Sequence, residues 1–200
     1  MPGASVHAGV IAVQGDVSEH VFAIERAADR RGLAVDVTSI RTAGHVPDCD
    51  VLAMPGGEST TISRLVHEEG IAPEIVDHVV AGKPLLATCA GLIVAASRTD
   101  TDAVQPLDLM DITVERNAFG RQKESFETTL AFEGLQEPIP AVFIRAPVIT
   151  EVGAGVQVLA ETDGRIVAAR DSSVTGTAFH PELTDNTLVH EVALFEPLEI

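Results

Sequence analysis

Three short stretches of this 200-residue chain carry residue types that could do chemistry together. The first is Ala87-Thr88-Cys89-Ala90-Gly91, set between an apolar run at 85–88 and another at 92–96. Small residues on both sides of one thiol permit a tight strand-to-helix turn that exposes the side chain, the logic of a nucleophile elbow. A helix start also favours a thiolate, because the dipole and the unpaired N–H groups there stabilise negative charge. Alone, the stretch is also what a buried structural cysteine in such a turn looks like. The second stretch is Phe179-His180-Pro181-Glu182. In an extended backbone residues two apart project to the same side, so Glu182 can reach His180 and fix its tautomer, as a Cys–His pair requires. A solitary histidine near a strand end is more often a surface or core residue, and the spacing of the glutamate argues against that here. The third stretch is Met54-Pro55-Gly56-Gly57-Glu58-Ser59-Thr60-Thr61. Its glycines permit positive φ and bring backbone N–H groups close to a ligand. The Lys-Ser/Thr ending of a phosphate-binding loop is missing, and taken by itself the stretch reads as an ordinary turn with a Ser/Thr helix cap. Together the three supply nucleophile, base, orienting acid and oxyanion donors, which is the equipment of acyl transfer to water through a thioester.

The elements that must position these groups alternate in the first half. Residues 7–13 form an apolar run ended by Gly15, as in a buried parallel strand. Asp16-Val17-Ser18-Glu19 has the form of a capping box. Val17, Val21, Ile24 and Ala28 then follow at helical spacing up to Gly32. Strands are expected at 33–40, 51–54 and 85–88, with helices around 60–69, 71–80 and 92–96. After about residue 105 the texture changes to short strands, expected at 109–115, 141–144, 156–161, 165–169 and 175–179, and Thr162-Asp163-Gly164 signals a hairpin. The segment from Thr184 to about Phe195 reads as a final helix. The pattern predicts one α/β domain over residues 1–200, three-layered (α/β/α) and flavodoxin-like, with a mixed sheet. In open α/β sheets reactive groups gather beyond the carboxyl ends of strands, and all three stretches fall there.

Composition sets the surroundings. Apolar residues make up 46% of the chain and charged ones 22%, enough for a full core. Thirty acidic residues against 13 basic ones give a net charge of −17, and eleven of the basic residues are arginines. Such a chain repels nucleic acid and anionic membranes, so neither is expected as a partner. The acids run from Asp16 to Glu199 without a block, so the charge coats a folded surface. This suits a cytoplasm of high salt, where ions screen the self-repulsion. No apolar run approaches the ~18–20 residues that span a bilayer, and no signal peptide is evident. Cys49 and Cys89 therefore read as reduced thiols of a cytoplasmic protein, Cys49 as a buried hydrophobe. His7, His20, His45, His67, His78 and His190 lack metal-ligand spacing and read as solvent-facing or structural, so neither a metal nor a cofactor is expected.

These residues belong to longer motifs that are recognisable. The chain resembles class I, triad-type glutamine amidotransferases, and most closely the glutaminase subunits of pyridoxal 5'-phosphate synthases. The resemblance runs over nearly the whole length. It rests on Val13-Gln14-Gly15 with Glu19-His20, Pro55-Gly56-Gly57-Glu58-Ser59-Thr60-Thr61, Thr88-Cys89-Ala90-Gly91-Leu92-Ile93, and Val114-Glu115-Arg116-Asn117-Ala118-Phe119-Gly120-Arg121-Gln122 with Ser125-Phe126-Glu127. Phe143-Ile144-Arg145-Ala146-Pro147 and His180-Pro181-Glu182-Leu183-Thr184 complete it. It implies a Cys89–His180–Glu182 triad acting on L-glutamine and an oxyanion hole of Gly57 and Ala90 N–H groups. It also implies a glutamine site of Gly57, Glu58, Ser59, Arg116, Ile144 and Arg145. The partner implied is a (β/α)-barrel synthase subunit that receives the ammonia in a hetero-oligomeric complex. The resemblance further implies weak activity until that partner docks, with the Gly57 peptide as a switch.

Two departures are visible. Asp108 stands where glycine is common, which puts that turn in question, and Asn186 occupies a place that is often acidic. Three rival readings stand beside this one, the first being the glutaminase subunit of another amidotransferase that feeds a different synthase. A cysteine peptidase or related hydrolase on the same layout would have no dedicated glutamine pocket. A silent interaction subunit would have lost Cys, His or Glu, and all three are present.

Overall fold

A computed structural model of the chain describes residues 5–116 and 125–198. Its centre is a ten-stranded sheet built outward from β1 (Ser5–Ile11), which pairs in parallel with β2 (Ala34–Ile40) on one side and β3 (Val51–Met54) on the other. Next to β3 lies β4 (Leu85–Thr88), also parallel. Both β3 and β4 are buried along their whole length, as continuous apolar runs of a parallel sheet covered on both faces should be.

Helices connect these strands: α1 (Val17–Arg30), α2 (Ser59–Glu68), α3 (Ile71–Val80) and the short α4 (Ala90–Ala95). The face of α1 that carries His20, Ala23, Ile24, Ala27 and Ala28 is buried, in line with its helical spacing of apolar residues.

The remaining sheet strands are β5 (Ala96–Thr99), β6 (Met110–Glu115), β9 (Val148–Val152), β10 (Gln157–Thr162), β11 (Arg165–Asp171) and β12 (Val174–Thr177). Between β6 and β9 in the chain, β7 (Ser125–Leu130) and β8 (Ile139–Ile144) form a separate antiparallel pair. The main order is β2-β1-β3-β4-β12-β11-β9-β6-β5, with β10 added on β11. Its first five strands are all parallel, so the late strand β12 fills the fifth place of a flavodoxin-like 2-1-3-4-5 order. From β12 the sheet turns antiparallel through β11 and β9 to β6, and the edge strand β5 is parallel to β6. The mixed α/β sheet flanked by helices is the expected fold class.

Asp163 and Gly164 form the two-residue loop between β10 and β11 with φ of 50° and 70°, the left-handed pair that a twisted hairpin requires. Strands β5, β7 and β9 were not expected from the sequence. Strand β5 follows α4 without a break, so a helix and a strand share one apolar run. Strand β7 alternates exposed and half-covered positions up to Leu130, which leaves little apolar signal, and β9 begins directly after Pro147. The expected final helix shrinks to α5 (Leu188–His190), which widens into a π-helical turn at Glu191–Phe195.

Candidate active site

The parallel register of β4 and β12 sets Thr88 beside Thr177. Two chain segments 89 residues apart thus leave the sheet side by side, one into Cys89 and the other into His180. The Cys89 N–H donates to Thr177 O at 2.8 Å. Cys89 itself has φ of 49° and ψ of −107°, a conformation that strains a side-chain-bearing residue by on the order of 1–3 kcal/mol and recurs at functional sites. Gly91 makes the turn possible. A Cβ there would lie 2.2 Å from Met54 O, so α4 packs its first turn directly on the end of β3.

His180 is anchored from another direction. Its N–H donates to Val142 O of β8 at 2.8 Å, and the Phe143 ring packs between Phe126 (stacked, 4.6 Å) and Phe179 (tilted, 5.7 Å). The small β7–β8 pair therefore holds the histidine from outside the main sheet. The Nδ1 atom of His180 lies 2.7 Å from Glu182 Oε1. The residues meet across a 3-10 turn at Pro181–Leu183, rather than along the extended strand that the sequence suggested.

Glu182 is 4% exposed and His180 3%. Burial opposes charge on His180, but hydrogen bonding to Cys89 and Glu182 and the charges of both outweigh it and push the pKa up to about 10. Burial alone would raise the Glu182 pKa; the nearby His20 and the hydrogen bond and charge of His180 reverse this and hold it low.

A cavity of about 640 Å³ opens over these groups, lined by Cys89 and His180, with Gly57, Glu58, Ser59 and Ala90 on one wall and Arg116, Ile144 and Arg145 among the others. The structure thus brings to one cavity every residue singled out from the sequence except Glu182, which stands behind His180. Arg145 has φ of 46°, a second strained position at the same cavity. Ile144 contributes its carbonyl oxygen, 3.8 Å from Cys89 Sγ, and its side chain is 40% exposed. Arg116 donates from Nε to Asp100 Oδ1 at 3.2 Å. The motif stretch 117–122 lies outside the described residues.

Glu58 has a role besides the place in a glutamine site that the resemblance implied. Its carboxylate caps α2, accepting from the N–H groups of Thr60 (3.2 Å) and Thr61 (2.8 Å) and from both hydroxyls. Those hydrogen bonds lower its pKa to about 2 against a smaller opposing effect of burial. The acid, not a serine or threonine, is the cap of this helix.

Asp16, in turn, makes no side-chain cap on α1. Its Oδ2 lies 3.5 Å from His180 Nδ1 and its side chain lines the cavity. Burial raises its pKa, with His180 pulling the other way. His20 lies behind the pair, fully buried, and contacts Thr88 and Glu182. Neither Asp16 nor His20 stood out as a site residue, although both belong to the stretch after Gln14-Gly15, whose Gln14 Oε1 accepts from the Glu58 N–H at 2.7 Å. Among the described residues one grouping of metal-ligating types occurs, Asp16, His180 and Glu182, and it shares its histidine and one carboxylate with the pair above.

Comparison with known proteins gives this geometry its context. The SNO glutamine amidotransferase family matches residues 10–196. The chain belongs to the SNO glutamine amidotransferase family. Its relatives in that family include pyridoxal 5'-phosphate synthase subunit PdxT of Halobacterium salinarum, 64% identical over 94% of this chain and 93% of the relative. The protein of the same name from Haloarcula marismortui is 61% identical over 98% and 99%, and that from Methanococcoides burtonii 54% identical over 93% and 96%. A solved glutamine amidotransferase is similar at a TM-score of 0.83 with 42% identity, over 92% of this chain and 95% of that one. The structure of PurLQS from Thermotoga maritima, 15% identical with a TM-score of 0.66 over 94% and 93%, shares the fold.

Both departures noted in the sequence have a local structural role. Asp108 takes φ of 55°, the left-handed conformation that glycine favours and aspartate tolerates. Asn186 accepts from the Leu188 N–H at 2.9 Å, starting the last helix.

Proposed function

We propose that this chain is the glutaminase subunit of a pyridoxal 5'-phosphate synthase, a single domain over residues 1–200 working in the cytoplasm. It hydrolyses L-glutamine to glutamate and ammonia and passes the ammonia to a (β/α)-barrel synthase subunit in a hetero-oligomeric complex. The observation that carries the reading is the meeting of Cys89, at positive φ after β4, with the His180–Glu182 pair, 2.7 Å between its members, at the end of the adjacent β12. Both cysteines are buried and form no disulfide. Among the described residues no helix is long and apolar enough to cross a membrane.

In this mechanism Cys89 Sγ attacks the side-chain amide carbon of glutamine while His180 holds the thiol proton. The tetrahedral oxyanion is met by the N–H groups of Gly57 and Ala90. The C–N bond then breaks as His180 returns its proton to the departing nitrogen, which leaves as ammonia. Water, deprotonated by His180, attacks the thioester, and glutamate departs with the thiol restored. Glu182 holds the imidazole in register and balances its charge throughout. Arg116 and Arg145 offer guanidinium donors to the glutamine carboxylate, with Gly57, Glu58, Ser59 and Ile144 completing the walls.

The test is direct. Purified chain, glutamine and a synthase subunit are mixed in molar KCl, and ammonia is measured for wild type and Cys89→Ala. Release is expected to be abolished by the substitution. Ammonia production that survives it would refute the nucleophile.

A further inference from the structure

Glu182 has two carboxylate oxygens, and the triad uses one. Oε1 is paired with His180, whereas Oε2 is buried and makes no well-formed hydrogen bond. A buried carboxylate oxygen left unpaired is expensive, so what faces it matters. At 3.4 Å stands His20 Nε2, from α1, fully buried. The same nitrogen lies 3.0 Å from Thr88 Oγ1, next to the nucleophile. The other ring nitrogen, Nδ1, lies 3.3 Å from Nε2 of His190, also fully buried and brought in by α5.

His20 Nε2 stands between Thr88 Oγ1 at 3.0 Å and Glu182 Oε2 at 3.4 Å, and the Thr88 hydroxyl accepts or donates as the ring requires. A hydrogen on Nε2 is the arrangement in which the ring attracts the carboxylate, where a lone pair would repel it. Burial keeps His20 and His190 uncharged by lowering both pKa values. In a neutral ring with Nε2–H, Nδ1 accepts, so His190 Nε2 must donate to it. His190 Nδ1 is then an acceptor, and it is the atom of that ring left without a partner.

We propose that His20 is a positioning residue of the triad, its Nε2–H steering the second oxygen of Glu182 while His190 selects the tautomer that makes this possible. His20 touches neither glutamine nor the reacting atoms. It acts by limiting the rotation of the Glu182 carboxylate, and through that the aim of the His180 ring. The idea rests on the glutaminase reading above.

The experiment measures glutamine turnover with the synthase subunit present, for wild type, His20→Leu and His20→Gln. Leucine removes the donor, and glutamine returns an N–H near the Nε2 position. His20→Leu is expected to lower kcat by about 10- to 100-fold, the usual range for losing a supporting hydrogen bond, with KM within about twofold. His20→Gln is expected to recover most of that loss. A kcat unchanged in His20→Leu, or equally low in both variants, would overturn the proposal. Nitrogen-15 NMR of the wild-type imidazoles gives a second readout independent of variant folding. The expected form of His20 is neutral with Nε2 protonated, and a protonated Nδ1 would also overturn it. Failure of the glutaminase reading is separate: wild type itself would release no ammonia.

Discussion

Cys89, His180 and Glu182 are individually ordinary residues, and their chemistry arises from what each is denied. Cys89 is denied a relaxed backbone, His180 and Glu182 are denied water, and each finds compensation in the other two. Three other histidines, His20, His78 and His190, are buried where the compensation falls short of the cost of burial. Burial lowers the pKa of His78 to about 4 and of His190 to about 3, and His20 shifts the same way. In that range the unfolded chain binds protons that the folded one refuses, so stability falls as pH drops below about 6.5. Each such group contributes a slope of up to about 1.4 kcal/mol per pH unit. His180 works in the opposite sense. Its raised pKa means that its contribution is complete below about 6.5 and is lost as pH climbs toward about 10. Urea midpoints at constant molar KCl are therefore expected to peak near neutral pH and to fall on both sides. A midpoint that does not change between about pH 6.5 and 4.5 would contradict the buried, neutral histidines.

The elements matter chiefly through how closely they approach one another. Two glycines of the site show the difference between a fold constraint and a site constraint. A Cβ at Gly91 meets the backbone oxygen Met54 O at 2.2 Å, and neither β3 nor α4 can yield. Gly91→Ala is expected to destabilise the protein by about 3 kcal/mol or more, seen as a lower urea midpoint. A Cβ at Gly56 meets His180 Cε1 at 2.5 Å and Cys89 Cβ at 3.2 Å, which are side-chain atoms of the proposed triad. Gly56→Ala is expected to spare more of the stability and to reduce kcat by about 100-fold, because a displacement near 1 Å misaligns the reacting groups. Equal stability losses in the two variants would remove the distinction. The short β7–β8 pair belongs to the same theme, since it sits outside the main sheet yet anchors the His180 backbone.

At the scale of the whole molecule the net charge of −17 dominates. Glutamine is a small zwitterion, and in the proposed site a few groups of the cavity suffice for it, so the global charge need not serve substrate binding. It is expected to act on solubility and on docking instead. The screening length falls from about 10 Å at 0.1 M salt to about 3 Å at 1 M, and unscreened acidic surfaces repel. Assembly with the synthase subunit is therefore expected to weaken as KCl is lowered, measurable by sedimentation or by loss of partner-stimulated ammonia release. Tighter assembly in low salt would mean that the acids make attractive contacts across the interface. Relatives from Halobacterium and Haloarcula at 64% and 61% identity are in keeping with a high-salt setting.

The sequence alone determined the alternation of strands and helices, the reaction class, and the strand ends from which its main groups project. Local spacing and the placement of Gly, Ser and Thr are short-range properties, and they are legible in one dimension. Only the tertiary structure decided which neighbours those groups meet. Asp16 has the pattern of a helix cap but lies by His180, and Glu58 has the form of a ligand-binding acid but caps α2. His20 and His190 read as bland histidines, yet they join segments 170 residues apart behind Glu182. Strands β5 and β7 escaped because ladder pairing, not an apolar pattern of their own, holds them in place. Burial and long-range partners are properties of the folded assembly, and no local window of the chain contains them.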